Sequence, residues 1–379
     1  MIHILIWIAA FVLIGIALGV LYEAWGTRKD ARAYLPPGRM VDLGTHRLHV
    51  LEKGSGPLTI LLEAGLMSTV LSWAELHEEL AKSYRVVAYD RAGLGWSDLG
   101  PMPRTADRIL DELHEMLHQA KIAPPYVLVG HSFGGLTMPL FAARYPKETL
   151  GMVLVDAVTP AEWNPPSDHD RKLTRIGAQV CRRAAILSRL GVIRFVGFLL
   201  TTRAKDVAGR LVRLISRGTP AQSGTVSSPW FWALPANERA MASVFWIKEK
   251  FALTIASQLE NLPVSAAQVG EAGYPLDKPV VILSASTSSE RRREEHAALA
   301  ASLPLGQHIT AKESNHWIMQ GEPELVLQAV QRIAELSGES QSARFLTAPA
   351  TARSESRETW SGGSGHAESG TRKRSTAGS

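Results

Sequence analysis

The chain has one cysteine, Cys181, in 379 residues. A single thiol closes no intrachain disulfide and anchors no thiolate metal cluster. Cys181 lies in a helical stretch, where it fills space. There is no zinc, haem or nucleic-acid-binding signature and no internal repeat, and the net charge of +5 is only mildly basic. Strand-forming sequence is missing from Thr159 to Gly273, and acids are nearly missing from Arg171 to Arg217, which holds twelve Lys or Arg against one acid, Asp206. Lys and Arg are also absent before the first apolar run.

That run, Ile2 to Tyr22, has His3 as its only plainly polar side chain. It exceeds the ~18 residues that mark a spanning helix. It is too long for a signal-peptide core, and no A-x-A cleavage site follows, so an uncleaved anchor over 1–24 is favoured over a signal peptide. Arg28, Lys29 and Arg32 follow the span, which by the positive-inside rule places the remaining chain on the cytoplasmic side.

With 45% hydrophobic residues, the rest of the chain can build a large core. Arg39 to Lys53 alternates around Gly44-Thr45 and reads as a hairpin. Apolar runs at Leu58–Glu63, Tyr84–Asp90, Tyr126–Val129, Gly151–Asp156, Pro279–Ser284 and Gln307–Ala311 read as buried strands. Helical spacing lies between them, within Met67–Lys82 and over Arg104–Ala120, Gly134–Arg144, Glu290–Ser302 and Glu322–Leu336. This alternation implies a mostly parallel sheet flanked by helices on both faces. The pattern divides the chain into an α/β core over 39–158 and 274–337, a helical cap over 159–273, and a disordered tail over 338–379 rich in Ser, Gly, Thr, Ala and Arg. The Arg372-Lys373-Arg374 cluster in that tail reads as a solvated charge run. The basic and apolar residues of Arg171–Arg217 fit either a cap helix with a solvated outer face or an amphipathic pair on an anionic bilayer.

Gly130-His131-Ser132-Phe133-Gly134 stands between an expected strand and an expected helix. A sharp strand-to-helix turn needs small neighbours, lifts the serine hydroxyl above the sheet, and leaves the next amide at a helix N-terminus. Such a serine needs a base, and the base an orienting acid, in chain order Ser, acid, His. His316, after the last strand in Glu313-Ser314-Asn315-His316-Trp317, is the base candidate. His46, His49, His77, His114, His118, His131 and His308 read as surface or core residues. Two acids compete: Asp156 at the end of its strand, and Glu290, the first acid after the aspartate-free loop Ala285–Ser289. Asp156 is preferred, since a triad needs an acid at a strand's C-terminal end. The oxyanion donors expected are the amides of Phe133 and of Leu66, in the loop Glu63-Ala64-Gly65-Leu66.

These features, with Tyr89-Asp90-Arg91-Ala92-Gly93-Leu94-Gly95-Trp96-Ser97-Asp98, Val153-Leu154-Val155-Asp156 and Asn315-His316, resemble the α/β-hydrolase superfamily from about Arg39 to Leu336, and most of all its capped, esterase-like branch. The resemblance implies an α/β-hydrolase fold and a serine hydrolase acting on an ester or related acyl bond, without cofactor or metal. Epoxide hydrolases and haloalkane dehalogenases carry aspartate at the nucleophile position, where this chain has Ser132. The family often has His-Gly where this chain has Ala64-Gly65. Its usual acid after the penultimate strand is missing, and some members place the acid where Asp156 lies. An apolar cap near a bilayer points to a lipid-like ester. Acyl transfer, thioester hydrolysis and non-catalytic binding on the same scaffold are the alternatives.

Overall fold

The computed structural model describes residues 1–201, 234 and 236–347. It divides into two units, Met1–Ala334 and Glu335–Ser379. Of the second, only the end of a helix is described. The first holds an eight-stranded sheet: β1 Arg39–Asp42, β2 Arg47–Lys53, β3 Thr59–Glu63, β4 Arg85–Tyr89, β5 Tyr126–His131, β6 Thr149–Val155, β7 Val280–Ser284 and β8 Gly306–Thr310. The spatial order is β1-β2-β4-β3-β5-β6-β7-β8. The β1–β2 hairpin and the β2–β4 pair are antiparallel, and all other pairs are parallel.

The helices are α1 Ile2–Ala33, α2 Ala74–Ala81, α3 Ala106–Gln119, α4 Gly134–Arg144, α5 Asp168–Arg189, α6 Val192–Thr201, α7 Ala236–Trp246, α8 Glu249–Glu260, α9 Leu262–Ala272, α10 Glu290–Ser302 and α11 Pro323–Thr347, with short turns at Pro160–Trp163 and Ile318–Gly321. Every residue of β3, β5 and β7 is buried, because helices cover both faces of the sheet. Strand alternation sorts the core into two layers. Leu61, Leu128, Leu154 and Ile282 meet Leu113 of α3, Leu136 of α4 and Ala300 of α10. Leu62, Val129, Val153 and Leu283 meet Leu76 of α2 and Val330 of α11. Thr105 caps α3 by accepting from Arg108 N, and that helix buries Ile109, Leu110, Leu113, Met116 and Leu117 at helical spacing.

Between β6 and β7 every regular element among the described residues is a helix. The insertion is seated by apolar contact: Phe251 and Ile255 of α8 pack on Leu94, together with Leu66, Met67 and Cys181. Burial raises the Cys181 thiol pKa, which keeps it protonated in this contact.

Three boundaries differ from the sequence reading. The helix expected within Met67–Lys82 begins only at Val70, as a 3-10 turn capped by the Thr69 side chain. The helix of the N-terminal run continues past residue 24 to Ala33, and Ile2–Ala33 is a candidate membrane span by length and composition. The final helix runs past Leu336 to Thr347, so residues 338–347, expected in a disordered tail, are helical; the sequence contains no Pro or Gly from 339 to 347 to stop it. The rest of the expected tail, with Arg372-Lys373-Arg374, and the basic stretch from Thr202 to Arg217 lie outside the described residues.

Candidate active site

Ser132 follows β5 with φ of +51° and leads into α4. A non-glycine residue in the left-handed region costs roughly 1–2 kcal/mol, and the surroundings hold it there. Ser132 N donates to Val155 O at 3.1 Å, while Gly135 N and Val158 N donate to Ser132 O at 2.8 and 2.9 Å. A Cβ at Gly130 would come within 2.5 Å of the Gly134 carbonyl, so the tightness of the turn forces glycine there.

Asp156 ends β6, also with positive φ, +41°. Its side chain is 1% exposed, and Oδ2 lies 2.6 Å from His316 Nδ1. Oδ1 accepts from Ala285 N at 3.0 Å and from Ser288 Oγ at 2.6 Å. Arg292 Nη1 stands 3.7 Å from Oδ2. Burial pushes this carboxyl pKa up. The His316 hydrogen bond and charge, then the Ser288 and Ala285 bonds, outweigh burial and hold it well below the usual carboxylate range. The ionised acid therefore keeps the proton of His316 on Nδ1, leaving Nε2 as the acceptor. Glu290 is exposed in the first turn of α10, where its neighbour Ser289 caps the helix.

The His316 loop is held by Glu322, whose carboxylate accepts from Glu313 N and Ser314 N at 2.8 Å each and from Ser314 Oγ at 2.9 Å. Those bonds, the Glu313 amide first, pull its pKa down to about 2. The His316 ring is about one-third exposed. No hydrogen bond joins Ser132 Oγ to His316 among the described residues.

Beside Ser132 runs the β3 loop. A Cβ on Gly65 would lie 2.8 Å from His131 Nδ1 and 3.2 Å from Ser132 Cβ, so the backbone here passes directly against the serine. Arg91 Nη1 bonds Glu63 Oε1 and donates to Ala64 O at 2.5 Å, and Nη2 donates to Gly65 O at 2.5 Å. In a planar trans peptide the N–H points away from the carbonyl. With the Gly65 carbonyl tied to Arg91, the Leu66 N–H faces the opposite side.

A sequence profile of the alpha/beta hydrolase fold matches residues 59–184. The chain is 27% identical over 305 residues to the probable transporter efuK of Hormonema carpetanum, a match covering 78% of this chain and 42% of the relative. It is 30% identical over 182 residues to epoxide hydrolase 3 of Xenopus tropicalis, covering 45% of this chain and 47% of the relative. The fold is similar to that of a thermophilic esterase from Thermogutta terrifontis, at 22% identity and a TM-score of 0.50, covering 79% of this chain and 98% of that one.

The chain has the α/β-hydrolase fold.

It spans about half the length of the curated relatives it matches, or less. Within this α/β-hydrolase fold the Asp90–Asp98 segment is a hub that ties several loops together. Asp90 Oδ1 accepts from Val70 N at 2.9 Å, and Oδ2 lies 2.9 Å from His49 Nδ1. Lys250 of α8 donates to the Gly95 and Ser97 carbonyls, fixing the insertion to the core, and burial lowers its pKa to about 8. Arg91 also stands 5.1 Å above the Phe133 ring, so one guanidinium touches both stretches expected to supply oxyanion donors.

Sequence reasoning missed the parts played by Arg91 and Ser288, and it read His131 only as a surface or core residue. Only the Asp90–Asp98 motif hinted at the first. His131 is fully buried and its Nε2 lies 2.9 Å from His316 O, to which it donates. Burial, then the neighbouring His316, lowers its pKa well below the usual imidazole value, so it stays neutral. No local pattern distinguishes it from a core histidine. Among the described residues no group of three or more His, Cys, Asp or Glu could hold a metal ion.

Proposed function

We propose that this α/β-hydrolase is a serine hydrolase that cleaves a carboxylic ester or related acyl bond through an acyl-enzyme. Ser132 Oγ attacks the substrate carbonyl carbon and its proton passes to His316 Nε2. Asp156 holds the other ring proton on Nδ1 and stabilises the imidazolium. The Leu66 and Phe133 amides bind the oxyanion, with Arg91 acting as a positioning residue that aims both. His316 returns its proton to the departing alcohol. It then deprotonates a water, whose attack on the acyl carbon releases the acid and restores Ser132.

The observation that carries this reading is the 2.6 Å contact between His316 Nδ1 and a buried, ionised Asp156. Ser132, held in a left-handed turn, bonds the backbone on either side of that Asp156, at Val155 and Val158. Substrate binding would bring Ser132 to His316, as catalytic hydrogen bonds often tighten only in the complex. Serine at the nucleophile position separates this chain from the aspartate-dependent epoxide hydrolases. We further propose that α1 anchors the protein with the catalytic domain cytoplasmic, since Arg28, Lys29 and Arg32 follow the apolar run, that 159–273 forms a cap, and that the substrate is lipid-like.

Fluorophosphonate labelling of the full chain tests the reading: wild type labels and Ser132→Ala does not. Labelling that survives Ser132→Ala removes the nucleophile assignment. No labelling of wild type, under conditions where an authentic esterase reacts, favours a binding role. Nitrophenyl esters of graded chain length would define the acyl preference.

A further inference from the structure

We propose that the turn joining α5 to α6 is a second membrane contact, which seats the helical insertion in the headgroup region of an anionic bilayer. The proposal rests on the anchoring role of α1 but not on the hydrolase reading.

The turn packs backbone to backbone on α1 at a level inside its apolar run. A Cβ on Gly19 would lie 2.2 Å from Leu190 O, and one on Gly191 would lie 2.4 Å from Gly19 O and 3.4 Å from the Tyr22 ring. Only glycines allow this approach. Just beyond the run, Arg194 locks α6 along α1. Its Nε lies 2.8 Å from Glu23 and its Nη1 2.8 Å from Asp30, with the guanidinium 11% exposed. The position of the turn relative to the anchor is therefore fixed, not incidental.

The depth follows from helix geometry. Tyr22 and Trp25 form a stacked aromatic pair, Trp25 is exposed, and Lys29 Nζ lies over the Trp25 ring. An aromatic pair followed by basic residues marks the membrane–water boundary. At ~1.5 Å per residue, Gly19 lies about 5 Å on the membrane side of Tyr22 and about 9 Å from Trp25. Interfacial amphipathic segments reach about 5–10 Å deep, so a turn held at Gly19 sits in that layer.

The side chains around the turn suit it. Ile186 is 62% exposed and Phe195 49% exposed, and both lie within five residues of Gly191. Arg183 and Arg189 are exposed on α5, Arg189 lying 4.0 Å from Glu249 of α8. Large apolar side chains flanked by guanidinium groups suit acyl chains below and anionic headgroups above.

The test places one environment-sensitive fluorophore at a time on the full chain in a Cys181→Ala background. The sites are Ile8→Cys in the span, Ile186→Cys and Phe195→Cys at the turn, and Leu305→Cys as an exposed control remote in sequence. The protein is reconstituted in phosphatidylcholine vesicles with about one quarter phosphatidylglycerol. Emission and quenching by lipid-borne spin labels are then read. The expected result is quenching at 8, 186 and 195 about threefold or more above that at 305, with a blue shift at the turn. Quenching at 8 with residues 186 and 195 behaving like 305 overturns the second contact while leaving the anchor intact. No quenching at 8 overturns the anchor and this proposal with it. Equal quenching at 195 in vesicles of phosphatidylcholine alone overturns the requirement for anionic lipid.

Discussion

Replacing Asp156 by asparagine changes one atom and should disable the enzyme through the tautomer of His316. Oδ1 accepts from a backbone amide, Ala285 N, which can only donate. The oxygen of an asparagine side chain must therefore occupy that place, and its NH₂ must face His316 Nδ1. The ring answers by keeping Nδ1 bare and carrying its proton on Nε2, where it can no longer accept one from Ser132. The Oδ1 contacts to Ala285 and Ser288 survive, so the fold should hold. In a serine protease triad the same exchange lowers kcat by ~10⁴, about 5 kcal/mol of transition-state stabilisation. We expect a loss of that order in kcat for Asp156→Asn, with KM little changed and melting within a few degrees of wild type. The assay is steady-state hydrolysis of a nitrophenyl ester alongside a thermal melt. A kcat within about tenfold of wild type, in a protein that melts normally, refutes the reasoning.

Glu290→Gln should leave kcat within about twofold in that assay, because Glu290 is exposed in the first turn of α10 and such a charge is worth only tenths of a kcal/mol. Arg91→Lys keeps the charge beside Glu63 but loses the two-pronged grip on the Ala64 and Gly65 carbonyls. It should lower kcat by about 10–100-fold, with a smaller change in KM, since a misaimed oxyanion donor acts on the transition state. Equal kcat, measured with the same ester, removes the positioning role. Acid should destabilise the fold well above the carboxylate range. Burial first of all lowers the pKa of His77 to about 4 and that of His131 well below its ordinary value. Below the unfolded imidazole value of about 6.5 the unfolded chain binds protons that the native one refuses. Stability is therefore complete above that value and falls as pH drops below it, by up to about 1.4 kcal/mol per unit per histidine. Urea unfolding of detergent-solubilised protein at pH 7 and pH 5 should differ by up to about 4 kcal/mol. An unchanged midpoint contradicts the burial of those rings as neutral species.

Local sequence determined the elements and the turn at Ser132. An apolar run of strand length, two flanking glycines and a following helical pattern are short-range signals, although the strained backbone of Ser132 is also held by bonds to Val155 and Val158 beyond its own segment. The parallel sheet was legible from the alternation of strands and helices, because that pattern can bury itself in few ways. The end of the last helix was not. The polar stretch after Leu336 reads as tail by composition, yet the helix runs through Gly338, and no Pro or further Gly follows before Thr347.

Only the tertiary structure decided which acid meets His316. Asp156 and His316 are 160 positions apart, and nothing in either neighbourhood encodes the distance between them. The loop after β7 looked deficient because it lacks an aspartate. In the fold it contributes the Ala285 amide and the Ser288 hydroxyl, which hold the acid supplied by β6. The same holds for Arg91, whose guanidinium reaches the β3 loop and the Phe133 ring from a motif legible only as a loop. Hydrogen bonds with one or two strongly favoured geometries are set by where strands lie side by side, and that order, β3 beside β5 and β6 beside β7, is a property of the packed sheet and not of any stretch of chain.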